Sequence, residues 1–279
     1  MNSTIRWDAT ITALSSISHG GETRGLSTML RREMVFHPAT GQLVPVPIIS
    51  GNSFRGVLRR IGEDLLRDVL AYDGQLSAAA AHALRGGGAL AKSSREPLSG
   101  SRLGTLRSLI PQIGVFGAAG GGRIIQGCLQ VGKVVPHLEE TSHITGVPSH
   151  RAAFDAVQVE TYSRADETFA HDFVTTTAAT LDDHDSQQMR YRVETFPAGT
   201  TFSSWLTLTR PTDLEISFFT DVLDQFRTHG TLGGRKAIGL GRVRLDLTTP
   251  TLTPSPAINW RTHLEEHRTD AIAALEDLT

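Results

Sequence analysis

The sequence predicts an α+β fold in which two amphipathic helices alternate with four strands in the order β-α-β-β-α-β. Three observations carry this: a long strict alternation at the N-terminus, two apolar stripes of helical period with capping signals, and further alternating segments between and after them. Residues 5–17 place Ile5, Trp7, Ala9, Ile11, Ala13 and Ile17 on one face, with Arg6, Asp8, Thr10 and Thr12 opposite, which is the pattern of a half-buried strand. Residues 52–71 follow as the first helix: Phe54, Val57, Leu58, Ile61, Leu65 and Val69 form its stripe, and Ser50, Asn52 and Ser53 are candidate caps. The stretch 73–122 is weakly patterned, but "QLSAAAAHALRGGG" within it reads as a short helix stopped by Gly86 to Gly88. Ile125, Gly127, Leu129 and Val131 alternate as a second strand. The acidic, Thr- and Ser-rich run 137–188 shows little periodicity and is too long for an ordinary loop. A third strand covers about 190–208, with a bulge or turn at "FPAGT". Residues 212–229 form the second helix: Thr212 and Glu215 fit a capping box, Leu214, Phe218, Val222 and Phe226 give the stripe, and Gly230 stops it. The fourth strand is 242–248, and the tail "INWRTHLEEHRTDAIAALEDL" reads as a surface helix.

This order is the ferredoxin-like plan, shared with RNA-recognition folds. It predicts a single domain over residues 1–279, with insertions at about 18–49, 73–122 and 132–188. Hydrophobic residues make up 39% of the chain and charged residues 20%, a balance that can bury a core. No apolar run is long enough for a membrane span, and the N-terminus lacks the pattern of a signal peptide. The single cysteine, Cys128, forms no disulfide and no cysteine-rich metal site, and it falls in a strand pattern as a core residue. A cytoplasmic protein is expected. The net charge of −2 says little, but its distribution is uneven. Residues 24–60 carry Arg24, Arg31, Arg32, Arg55, Arg59 and Arg60 against Glu33 alone, whereas 137–188 carry ten carboxylates against Arg151 and Arg164. That split points to a basic binding face and a separate acidic surface.

Three stretches carry candidate chemistry. The first, "GTLGGRKAIGLGRVRLDL" (230–247), combines five glycines with Arg235 and Lys236. It lacks the P-loop spacing, and it links a helix to a strand, the reverse of a dinucleotide fingerprint. A flexible backbone with two cations at its tip remains, to be read either as a long turn with solvated charges or as a contact with a nucleic-acid backbone. The second, "PIISGNSFRGVLRRIGEDL" (47–65), opens a helix after Ser-Gly-Asn-Ser, where free N–H groups favour anions. Arg55 and Arg59 are four residues apart, on a face read as opposite Phe54, Leu58 and Ile61, and Gly56 would let another chain come close. The third, "SHGGETRGLSTMLRREMV" (18–35), carries Arg24, Arg31 and Arg32 on what reads as a loop along phosphates or a mobile connection. His171 and His184 stand beside aspartates, but no second histidine lies at helical spacing to either, so no metal site is expected. Arg261 and Arg268 in the tail read as solvated charges.

"PIISGNSFRGVLRR", "IGVFGAAGGGRIIQGCLQV", "VETFPAGTTFSSWLTL" and "LGGRKAIGLGRVRL" occur in that order on the predicted elements. Together they resemble the RAMP (repeat-associated mysterious protein) superfamily, in particular the backbone subunits of class 1 CRISPR effector complexes. The resemblance implies an RNA-recognition-like palm whose copies polymerise along a guide RNA, beside other effector subunits. It implies that Ser50, Gly51, Asn52, Ser53, Arg55 and Arg59 hold guide phosphates. Gly233, Gly234, Arg235, Lys236, Gly239 and Gly241 would be the family's glycine-rich loop. Residues 137–188 would be the variable thumb, pressing between guide bases and touching the next subunit. Backbone contacts carry no sequence information, so one protein can hold any guide. RNA-targeting members carry an aspartate in the region matching "RGLSTMLRREMVFHPATGQL", which here contains none. That departure favours a non-cleaving subunit of a type IV or type I complex with a DNA target and no cofactor. The alternatives are an endoribonuclease that processes the precursor guide, with His19 and His229 as candidate acid and base, an RNA-targeting type III subunit, and an unrelated ferredoxin-like protein.

Overall fold

The computed structural model describes residues 4–89, 99–120, 122–164, 189–248 and 256–277. In chain order, strand β1 (Thr4–Ala13) leads into hairpin β2 (Gly20–Arg24) and β3 (Ser27–Leu30), then hairpin β4 (Arg32–His37) and β5 (Gln42–Pro47), and then helix α1 (Gly51–Leu70). Helices α2 (Ala78–Gly86), α3 (Gly100–Leu109) and α4 (Pro111–Phe116) follow. Next come short strands β6 (Ala118–Gly120), β7 (Arg123–Ile125), β8 (Leu129–Val131) and β9 (Val135–Pro136), and the one-turn helix α5 (Ser142–Thr145). The chain continues through β10 (Gln158–Arg164), β11 (Met189–Thr195), β12 (Thr201–Thr209), α6 (Asp213–His229), β13 (Val243–Leu247), α7 (Trp260–Glu266) and α8 (Arg268–Glu276). No helix among the described residues is long and apolar enough to cross a membrane.

The central sheet has the order β13-β1-β12-β8, with β9 also on β12, and all neighbours are antiparallel. The alternation along β1 buries Ile5, Trp7, Ala9, Ile11 and Ala13 in the main core. There Trp7 meets Phe219 of α6 at 5.8 Å, and Phe54 of α1 meets Phe226 of α6 at 5.3 Å. The local signals for both helices act as written in the sequence. The Ser50 hydroxyl accepts the Ser53 N–H, and Thr212 and Glu215 form a reciprocal capping box. Gly87, at φ 93, ends α2.

Four expectations are corrected. Residues 125–131 do not form one strand: β7 pairs with β6, and β8 joins the central sheet. Gly127 sits between them, pressed so close to α4 that a Cβ would lie 2.3 Å from the Val115 carbonyl oxygen. Residues 190–208 are divided between two sheets, because the turn after Phe196 sends β12 into the central sheet while β11 stays in a second sheet, β10-β11-β3-β2. The tail is not a surface helix: it folds as α7 and α8, and Trp260, Leu264, Ala271 and Leu275 complete the main core. Within the acidic run, Leu138, Ala153 and Ala156 build a second, smaller core with Val35 and Val46 of the β4–β5 hairpin and Ile48 just after it. Residues 165–188, with His171 and His184, lie outside the described residues.

Candidate nucleic-acid interface

The glycine loop is stitched to the chain that leaves β1. The Gly234 N–H donates to the Ser18 carbonyl at 2.7 Å, the Gly241 N–H to the Ser16 carbonyl at 2.8 Å, and the Leu232 N–H to the Gly241 carbonyl at 2.8 Å. Gly233 (φ 78) and Gly241 (φ 91) are needed for this closure. A Cβ on Gly233 would lie 2.3 Å from the Ser18 oxygen, and one on Gly241 2.3 Å from the Leu232 oxygen. The close approach expected of these glycines is therefore made to the protein's own backbone. A Cβ on Gly239 would face open space and one on Gly234 would make only an ordinary contact with the Ser18 oxygen, and between them Arg235, Lys236, Ala237 and Ile238 form the loop tip.

The start of α1 is brought to the same place. The Nε2 atom of His19 accepts the Ser50 N–H at 3.3 Å, so this ring is neutral with its proton on Nδ1. Burial, reinforced by Arg31 and opposed by Glu33, lowers the His19 pKa. Gly51 packs against the end of β8, where a Cβ would lie 2.7 Å from the Val131 oxygen. From there Asn52, Gly56 and Arg60 follow at i, i+4 spacing on one face of α1. The Arg60 guanidinium leans back over Gly56, 3.6 Å from where a Cβ would be. The Lys236 pKa is lowered by burial and then by the charge of Arg60, which places the two cations in each other's field. Arg235 lies over the Tyr191 ring at 5.0 Å. Among the described residues, Arg60, Arg235 and Lys236 have no carboxylate partner. Arg60 and Tyr191 were missed as site residues. Arg60 stood in the sequence one α-helical turn beyond Gly56, whereas nothing local connected Tyr191 to the loop.

Other expected residues lie elsewhere. Arg59 is buried, with 6% exposure. It donates to the Gly117 carbonyl at 2.9 Å, to that of Ala83 at 3.3 Å and to that of Phe116. Burial and then neighbouring Arg55 bring its pKa down to about 10. It ties α1 to α2 and α4 with little surface left exposed, and it does not lie on the outer face of α1 as expected. Arg55 donates to the Phe116 carbonyl at 2.8 Å. With Arg107 and Arg210 it lines a cleft of about 720 Å³ to which the glycine loop does not contribute. Arg32 is ion-paired with Glu194 at 2.9 Å and straps β4 to β11. Arg24 pairs with exposed Glu22, and Arg31 lies 3.8 Å from Glu33. Ser53 serves the helix cap with Ser50, while the Asn52 side chain is exposed. The two tail arginines are engaged: Arg261 with Asp221 at 3.0 Å, and Arg268 with the Leu70 carbonyl at 2.8 Å at the end of α1. Cys128 is buried, and burial pushes its thiol up to about 12. Among the described residues no group of three or more His, Cys, Asp or Glu side chains is placed to hold a metal.

A comparison with curated proteins returned no match. Among solved structures, the chain is similar to one described as a type IV-B CRISPR complex, with 33% identity and a TM-score of 0.68, over 93% of this chain and 99% of that chain. The sequence profile of the RAMP superfamily matches residues 10–244, from the first strand of the central sheet, through α1 and the glycine loop, into the last strand. A match that spans both halves of the stitched site and the sheet beneath it makes this chain a member of the RAMP superfamily.

Proposed function

We propose that the chain is a guide-RNA-binding, filament-forming backbone subunit of a class 1 CRISPR effector complex of type IV, and that it acts without catalysis. The observation that carries this is that Arg60, over Gly56 of α1, and Lys236, beside Arg235 on the tip of the glycine loop, lie in each other's field, with none of the three cations neutralised by a described carboxylate. Such a surface grips phosphates whatever bases they carry. The sheet order β13-β1-β12-β8, with α1 after β1 and α6 after β12, supports a ferredoxin-like palm. The likeness to a chain of a type IV-B CRISPR complex supports the assembly and its subtype. Guide RNA, further copies of this chain and other effector subunits are then its partners, and DNA is the favoured target. For a non-cleaving role, the only acid between Arg24 and Gly41 is Glu33, which is tied to Lys133 and Arg31. A guide-processing role would draw on His19, but its Nε2 atom is occupied by the Ser50 N–H. The test is co-expression with a transcribed repeat–spacer RNA, read as the absorbance ratio at 260 and 280 nm and as particle size. Large, RNA-containing particles are expected, and an RNA-free monomer at low salt would overturn the reading.

A further inference from the structure

Arg235 is not an isolated surface charge. Its guanidinium rests on Tyr191, and Tyr191 stacks on Tyr162 with centroids 5.4 Å apart and planes 19° from parallel. The two tyrosines are paired directly across β10 and β11. Behind them the Tyr162 hydroxyl donates to Glu160, which also accepts from Thr195 at 3.0 Å and from the Gln158 amide at 3.1 Å. The Gln158 amide also donates to the Ser16 hydroxyl at 3.0 Å. Ser16 in turn accepts the Gly241 N–H, so the contacts run in a closed circuit from the loop through the β10–β11 pair and back to the loop.

The circuit has a chemical consequence. An arginine on a glycine-rich loop ordinarily samples many rotamers, and ordering it on a phosphate costs entropy. Here the guanidinium carbon lies over the Tyr191 ring, 5.0 Å from its centroid, a cation–π contact that narrows the choice of rotamers. No carboxylate and no hydrogen-bond acceptor among the described residues engages the Arg235 N–H groups. The backbone of Arg235 is left-handed, at φ 60, an uncommon state for a residue other than glycine, which the stack helps to maintain.

We propose that Tyr191, backed by Tyr162, is a positioning residue that holds Arg235 ready to take one phosphate edge-on, in bidentate geometry. This rests on the guide-RNA reading above and adds to it a link between the β10–β11 pair and the grip on RNA.

The test is guide-RNA affinity against salt for the full chain and for Arg235→Ala, Tyr191→Phe, Tyr191→Leu and the double variant Arg235→Ala/Tyr191→Leu. Tyr191→Phe keeps the ring face and should bind like the wild type. Tyr191→Leu keeps apolar bulk in the strand but loses the face. It should weaken binding by roughly tenfold, as Arg235→Ala does, the scale of a lost charge-assisted hydrogen bond. Arg235→Ala and Tyr191→Leu should each also flatten the slope of log K against log salt by ~0.7, and Tyr191→Phe should leave it unchanged. The double variant should be no weaker than either single one, because both remove the same contact. Thermal melts of every variant separate loss of fold from loss of grip, and Tyr191→Phe rescue is a result that a purely structural tyrosine with its hydroxyl in use would not give. If Tyr191→Leu binds like the wild type, or its loss adds to that of Arg235→Ala, the positioning role is overturned while the guide-RNA reading stands. If the wild type itself shows no salt-dependent RNA binding, the guide-RNA reading fails and this inference falls with it.

Discussion

Arg59 and Arg60 are adjacent in the sequence and have opposite fates. One α-helical step turns Arg59 inward, where three carbonyls hold it, and leaves Arg60 outside beside Lys236. Arg59→Ala should therefore act on stability. The buried Ala83 and Gly117 carbonyls lose this donor and the Phe116 carbonyl keeps only Arg55, a loss on the order of 2–4 kcal/mol in urea unfolding. Lys236→Ala should leave the urea midpoint unchanged and lower the salt slope of RNA binding by ~0.7. A variant pair in which Arg59→Ala is as stable as the wild type would contradict the buried role. His19 gives a prediction in pH. Its folded pKa lies below the ordinary 6.5, so below that pH the unfolded chain binds more protons than the folded one. Stability should then fall as the pH drops from about 7 to about 5, as His19 is forced to charge and the Ser50 N–H loses its acceptor. His137, whose pKa burial also lowers, adds a decline of the same sign. The comparison is therefore the melting temperature of wild type against His19→Gln, whose amide oxygen can still accept and does not titrate. The wild type should lose more on acidification, and parallel curves would rule out the assignment.

At the scale of elements, β10 and β11 carry the Tyr162–Tyr191 pair and end directly opposite each other, with Arg164 paired to Met189. A two-residue Asn-Gly turn closes an antiparallel pair in that register. Replacing residues 165–188 by Asn-Gly should therefore leave the thermal melt of the isolated protein within a few degrees of the wild type, and should impair assembly on guide RNA. Removing the whole run 137–188 is a different matter. It takes Leu138, Ala153 and Ala156 from the second core, uncovers Val35, Val46 and Ile48, and leaves β11 without β10. That larger deletion should lower stability. The contrast shows what could be read locally. The β1 alternation, the α1 and α6 stripes and both N-caps were legible because each is decided within a few residues. The destination of Arg59 was not, since its partner carbonyls at Phe116 and Gly117 are more than fifty residues away. The glycine loop was legible as a place of close approach, but its partner, the Ser16–Ser18 backbone, is over two hundred residues distant. Alternation also misled at 125–131, because parity continues through Gly127 while the hydrogen-bond partner changes from β6 to β12.

At the scale of the molecule, the candidate site offers three cations with no carboxylate partner among the described residues, on a chain whose net charge is −2, so a single copy would have little general attraction for RNA. Three phosphate contacts correspond to a salt slope of only about −2 for single-stranded RNA. The proposed filament would remove this weakness, because copies laid side by side on one strand would bind as a multivalent array, with the second and later copies recruited at high effective concentration. Two consequences follow for the assembled particle. Its mass should rise in equal steps of one protein copy as the guide is lengthened, since each copy occupies a fixed run of backbone. Its affinity should be nearly unchanged when the guide is scrambled at constant length, if the proposed contacts are to phosphates and not to base edges. Both are read by native mass spectrometry and filter binding on guides of two lengths and two unrelated sequences. The variant Lys236→Ala should keep the step size and reduce the number of copies bound at a given protein concentration. One copy per RNA at every length would refute the filament, and a loss of more than about tenfold on scrambling would mean that base edges are being read.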